Sequence, residues 1–161
     1  MTLIAAVDQN WGIGIRGAPL FRIPADLRRF RAVTMGHALL MGRKTFDSLP
    51  GLLPGRAHVV LSRDPDFSPP GVIVLRNLDQ AREFAREHET FLIGGEEIYA
   101  ALLDSCARAL VTKIDAAREA DAALPNLDAL PHWAPVREGP WRESGGLRFR
   151  FCEYARHGGA A

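Results

Sequence analysis

The chain has 161 residues, 47% of them hydrophobic and 24% charged, with a formal net charge of +1. That balance excludes wholesale disorder and argues against a dedicated nucleic-acid binder, which carries a larger basic excess. Two cysteines and five scattered histidines exclude a disulfide scaffold and offer no metal-ligand spacing. The N-terminus lacks a basic region before its short apolar run, and no stretch is long and apolar enough to span a membrane, so a cytoplasmic protein is expected.

In chain order, residues 2–7 form a continuous apolar run ended by Asp8, the pattern of a strand buried on both faces. Residues 9–23 read as a long Gly-rich loop closing at Ile23-Pro24. Pro24 suits the first turn of a helix that continues through Ala25-Asp26-Leu27 to Phe30 and Val33. Residues 38–41 are a second strand, followed by Gly42-Arg43-Lys44-Thr45 and a short helical pattern stopped by Pro50-Gly51. Strands are expected at 57–61, 72–75, 90–93 and 109–114, with helices at 78–88 and 96–103. A closing hairpin is expected from 136–141 and 147–154, flanking Ser144-Gly145-Gly146. Alternating strands and helices predict an α/β fold with a mostly parallel sheet and an antiparallel C-terminal strand. No linker or repeat divides the chain, so one domain is expected over 1–157 with a frayed tail at 158–161.

Three glycine-rich segments invite a phosphate. Gly12-Ile13-Gly14-Ile15-Arg16-Gly17 matches the dinucleotide fingerprint, but Ala18-Pro19 and Pro24 forbid the helix that must follow it. A mobile loop beside a site is the better reading. Gly94-Gly95 lies between an apolar strand and a helix, where backbone N–H groups can meet a phosphate, although Glu96 and Glu97 would repel one if aimed at it. Gly42, Arg43, Lys44 and Thr45 end one strand and Ser62-Arg63 the next. In a parallel sheet those ends converge on one crevice; the alternative is a solvated set of charges. Asp26, Phe30 and Val33 share a helix face at i, i+4 and i+7, setting one acid on an apolar stripe, where burial raises a carboxyl pKa.

Taken together, Ala5-Ala6-Val7-Asp8, Gly12-Ile13-Gly14, Ile23-Pro24-Ala25-Asp26-Leu27, Met41-Gly42-Arg43-Lys44-Thr45, Leu53-Pro54-Gly55-Arg56, Ile93-Gly94-Gly95 with Ile98-Tyr99, and Thr112-Lys113-Ile114-Asp115 resemble dihydrofolate reductases of the bacterial chromosomal type, in order and spacing. The resemblance implies an eight-stranded, mostly parallel sheet with four flanking helices. It also implies NADPH-dependent reduction of 7,8-dihydrofolate, a monomer, and sensitivity to antifolates. It assigns Asp26 to the pterin ring N3 and 2-amino group, with Thr112 behind it. Ala5, Leu27, Phe30, Leu49 and Leu53 would enclose the substrate, and Arg56 would pair its glutamate α-carboxylate.

On the cofactor side the resemblance places Ala6, Ile13, Gly14 and Tyr99 by the nicotinamide, and Gly94, Gly95, Glu96, Glu97 and Ile98 by the pyrophosphate. Gly42, Arg43, Lys44, Thr45, Leu61, Ser62 and Arg63 would hold the remaining phosphates, including the adenosine 2′-phosphate. Three positions depart from the family pattern: Phe21 where many members have Trp, Ala120 where many have Gly, and Glu97 where some have a basic residue. Phe21 cannot donate an indole N–H to a water near the pterin. The rivals are a dihydromethanopterin reductase, a ribosylamino-pyrimidine reductase, and a non-catalytic nucleotide-binding module. Arg56 argues for a substrate with an α-carboxylate, and Asp26 against a module without chemistry.

Overall fold

A computed structural model describes residues 1–158, so the expected frayed tail lies outside the described residues except for Gly158. Strands β1 (Thr2–Val7), β4 (Ala38–Gly42), β5 (Ala57–Leu61), β6 (Val72–Leu75), β7 (Thr90–Leu92) and β8 (Arg108–Ile114) pair in parallel in the order β8-β1-β7-β4-β5-β6. Beyond β8 the sheet turns antiparallel, through β12 (Leu147–Arg156) to β10 (Trp133–Glu138). These eight strands form one path, and β11 (Arg142–Ser144) pairs with β12 off that path.

Helices α1 (Pro24–Thr34), α2 (Arg43–Ser48), α3 (Leu78–Glu87) and α4 (Glu96–Leu102) cover the sheet. Strands with helices on both faces are apolar on both, and Leu39, Leu40 and Met41 of β4 are all fully buried. One core cluster gathers Leu3, Leu40, Val59 and Leu92; another gathers Leu39, Met41, Val60 and Phe91. These are alternate positions on the same strands, so each cluster belongs to one face of the sheet.

Two expectations change. The segment 9–23 carries two short strands, β2 (Gly12–Ile15) and β3 (Ala18–Pro19), joined by a turn in which Arg16 and Gly17 have φ of 49° and 76°. β2 also pairs with β9 (Ala122–Ala123), making a separate three-stranded sheet that ties the 9–23 segment to a distant part of the chain. In the C-terminal hairpin, the strand that meets β12 across Gly145-Gly146 is β11. The expected partner, 136–141, is met in part: residues 136–138 end β10, which pairs with the far half of β12 through an irregularity between Pro135 and Arg137, and 139–141 lie outside any strand. Proline cannot donate to a ladder, so Pro135 and Pro140 confine this stretch to the sheet edge and break it in two.

Candidate active site

In the parallel block the carboxyl ends of the strands face one edge, where ligands of open α/β sheets bind. There β1 ends at Val7, β4 runs directly into α2, β5 ends before Ser62-Arg63, and β7 before Gly94-Gly95. A cleft of about 1460 Å³ opens along this edge.

Asp26 sits in the first turn of α1, where Pro24 lacks only an N–H that the helix would leave unpaired. Its Oδ1 accepts a 2.5 Å hydrogen bond from the Thr112 hydroxyl on β8, and Thr112 is only 2% exposed. Ala6 of β1 is in register with Thr112. Burial pushes the Asp26 carboxyl above its ordinary pKa, opposed by the Thr112 hydrogen bond and by the charge of Arg29. A lone, desolvated carboxylate with one lone pair committed has the rest free to accept from a ligand.

Phe30, Leu49 and Leu53 pack against one core cluster as an apolar wall, and Phe30 follows Asp26 by one turn of α1. Leu27 stays 48% exposed. Arg56 closes this side: its Nε donates to the Pro54 carbonyl at 3.1 Å and one Nη1 to the Thr34 hydroxyl at 3.3 Å. Its guanidinium carbon lies 6.0 Å from the centre of the Phe30 ring. Those two bonds fix the fork and leave three of its five N–H groups available. Burial, then the charge of Arg31, lowers the Arg56 pKa, but an arginine stays charged.

Every expected cofactor residue except Gly94 lines the cleft, and so does Ala5 of the substrate set. Gly94 lies just behind it. Its carbonyl accepts from the Gly42 N–H at 2.9 Å, and its φ is +116° within a cis Gly94–Gly95 peptide. A Cβ on Gly94 would meet the Tyr99 ring at 3.1 Å, and one on Gly42 would meet Ile98 at 2.9 Å. Both glycines thus let α4 settle against the end of β4. Tyr99 is 4% exposed and donates its hydroxyl to the Ile4 carbonyl at 2.7 Å. Burial raises its pKa, so it presents ring and not acid to the cleft.

The cations are unequal. Arg43 is paired with Asp64 at 2.8 Å and Asp47 at 3.7 Å and lies 4.5 Å over the Phe67 ring. Lys44 and Arg63 form no ion pair among the described residues. Glu96 turns its carboxylate to the Ala123 N–H of β9 at 3.1 Å, which answers part of the expected repulsion. Arg76, Asn77 and Arg82 share the cleft and were not expected. Arg76 donates to the carbonyls of Ser62, Asp64 and Phe67, bracing the 62–67 loop. Its signal was available, because Arg76 follows β6 just as Arg43 follows β4.

The 9–23 segment is pinned from three sides. Asp8 accepts from the N–H groups of Asn10, Gly12 and Arg118 at 2.9, 2.8 and 3.0 Å. Arg118 then donates to the Leu20 carbonyl at 2.7 Å and stacks 4.1 Å over the Phe21 ring. Asp121 accepts from the Arg16 N–H at 2.9 Å and donates its own N–H to Gly14 at 3.0 Å. A Cβ on Gly12 would stand 2.8 Å from the Cβ of Ala120, so Gly12 is what makes room for that departure from the family pattern.

The model of the dihydrofolate reductase family matches residues 1–156. The chain is 44% identical to the dihydrofolate reductase of Mycobacterium tuberculosis (strain ATCC 25618 / H37Rv), over 96% of each chain. It is 36% identical to that of Neisseria meningitidis serogroup B, over 98% of each. Among solved structures, a dihydrofolate reductase from Enterococcus faecalis complexed with NADP(H) and RAB-propyl superposes with a TM-score of 0.88. It is 28% identical, with 96% of this chain and 95% of that one covered. With a family-model match over residues 1–156 and 44% identity to a curated member along almost its whole length, the chain belongs to the dihydrofolate reductase family.

Proposed function

We propose that residues 1–157 act as one catalytic unit that reduces 7,8-dihydrofolate to tetrahydrofolate with NADPH. The observation that carries this reading is the half-buried Asp26 carboxylate, held by Thr112 on β8, whose register partner Ala6 on β1 lines a cleft of about 1460 Å³. The residues present fit that cofactor. Lys44, Thr45, Ser62 and Arg63 offer cations and hydroxyls on one wall, and the first N–H groups of α4 lack intrahelical partners beside them. When bound, the reduced nicotinamide supplies the hydride that reduces pterin C6.

The chain's own residues do the rest. Asp26 accepts hydrogen bonds from the pterin 2-amino group and N3, which fixes the ring plane. Its negative charge favours protonation at N5 by water, with no need for Asp26 to deliver the proton. Phe30, Leu49 and Leu53 flank the pterin and aminobenzoyl rings, and the open edge of Arg56 pairs the α-carboxylate. The lid of β2 and β3, pinned by Asp8, Arg118 and Asp121, excludes water from the reacting atoms. Arg56 disfavours the methanopterin and pyrimidine rivals, whose substrates do not call for a carboxylate anchor there. We propose a cytoplasmic monomer that binds antifolates in the Asp26 pocket; both cysteines are free and buried, consistent with a reducing compartment.

The test is loss of NADPH absorbance with dihydrofolate as the only acceptor, with NADH and a methanopterin substrate as controls. Turnover with NADPH and dihydrofolate is expected. Turnover confined to another pterin would overturn the substrate assignment.

A further inference from the structure

His58 is the second residue of β5 and only 2% exposed, yet it touches neither the cleft nor any ion-pair partner among the described residues. Its ring meets two backbone groups of the same short loop. The Leu53 N–H donates to Nε2 at 3.0 Å, and Nδ1 lies 3.1 Å from the Arg56 carbonyl. A backbone N–H can only donate and a carbonyl can only accept. The proton must therefore sit on Nδ1, and the neutral Nδ1–H tautomer is the one state that satisfies both bonds.

Those two bonds span the residues that carry the far end of the substrate. Leu53 belongs to the apolar wall, and Arg56 is the residue proposed above to pair the substrate α-carboxylate. We propose that His58 is a positioning residue for the aminobenzoyl-glutamate end of the substrate, clipping the 53–56 loop from inside so that Leu53 and the Arg56 fork hold their places. This rests on the assignment of Arg56 to the substrate carboxylate. Gly55, at φ +77°, lets the loop turn back on itself, and its carbonyl accepts from the Gly36 N–H at 2.9 Å. That bond holds the outside of the turn while His58 holds the inside.

A second proton on the ring would set Nε2–H against the Leu53 N–H, donor against donor, and release the clip. Arg56 is the charged group that acts on the ring; Leu39 of β4 and Val72 of β6, in register on either side, are apolar. Burial holds the imidazole below its usual pKa, opposed by the hydrogen bond to the Arg56 carbonyl and assisted by the Arg56 charge.

The experiment compares wild type, His58→Ala and His58→Gln. The readout is the KM for dihydrofolate divided by the KM for a dihydropterin lacking the aminobenzoyl-glutamate. Asp26 serves both substrates, so its titration cancels in this ratio. His58→Ala should raise the ratio about tenfold, the effect of losing roughly one buried hydrogen bond. His58→Gln keeps an acceptor near the Nε2 position and should recover most of the loss. The wild-type ratio should rise as the pH falls below the usual imidazole range, while that of His58→Gln stays flat.

Imidazole ¹⁵N shifts of the wild-type protein, which need no variant to fold, should report Nδ1–H. An unchanged ratio in folded His58→Ala, an equal rise for both substrates, or an Nε2–H tautomer would each overturn the proposal. Wild-type enzyme that turns over only the short pterin would instead overturn the Arg56 assignment on which it stands.

Discussion

Asp26 is asked to be charged in a place that resists charge. Its folded pKa is raised, so the neutral form is the one the fold favours. The sign follows from linkage. Below its unfolded pKa the group costs nothing, and the cost of ionising it in place appears as the pH rises through its folded pKa. Asp26→Asn should therefore have a higher Tm than wild type at pH 7, with the gap closing as the pH falls into the carboxylate range. The same variant should lose about 10²–10³ in turnover, the usual scale for removing an electrostatic group from a reacting centre. Parallel thermal melts and assays across pH check both halves; equal Tm at pH 7 would place the carboxyl in water. Asp26 was legible in the sequence because its apolar neighbours lie four and seven residues away on one helix. Thr112, 86 residues distant, carries no local pattern and emerged only through the family resemblance. His58 was invisible for a different reason: both its partners are backbone atoms, which composition does not mark.

Between strand ends, the two arginines expected at the 2′-phosphate differ in what they can give. Arg43 already shares its charge with Asp64, whose carboxyl is held below its usual pKa by the Asp66 N–H and then by Arg43 itself. Charge-assisted hydrogen bonds are worth about 1.5–3 kcal/mol, so losing two should cut the NADPH-over-NADH ratio of kcat/KM by roughly 10²–10⁴. The double change Arg43→Ala, Arg63→Ala is the test, and Arg63→Ala alone should account for more of the loss than Arg43→Ala. An unchanged ratio would move the 2′-phosphate elsewhere. In the lid, Gly12→Ala should destabilise the protein by about 1–3 kcal/mol through overpacking. Ala120→Gly in the same chain should recover part of that, because its Cβ is the nearest of the atoms a Gly12 side chain would strike. A double-mutant cycle on Tm reads the coupling, and strict additivity would separate the two sites. The expectation of a plain loop at 9–23 failed here because β2 draws its second partner, β9, from more than a hundred residues away.

At the scale of the molecule, Cys106 and Cys152 are 0% and 1% exposed. Burial pushes the Cys106 thiol up to about 12 and raises that of Cys152 as well. A thiol reagent should therefore label the native protein only as fast as it opens, with both residues gaining protection together when an antifolate binds. Prompt labelling of either would show that its part of the sheet opens locally. The parallel sheet itself was readable from continuous apolar runs, whose lack of alternation requires cover on both faces. Strand order was not, since pairing between β1 and β7 is a contact between distant segments and leaves no mark in either.

That order has a consequence in time. β1 leaves the ribosome before every other strand of this sheet, yet it ends up at the middle of the sheet, hydrogen-bonded on one side to β7 and on the other to β8. Neither neighbour exists until residues 90–92 and 108–114 have been translated, and β12, which covers β8, comes last of all. The nascent chain must carry a naked apolar segment through most of its synthesis. A holding chaperone therefore has its natural purchase at Thr2–Val7, and translation speed before residue 108 governs how long that segment is at risk of joining a neighbouring polysome's chain.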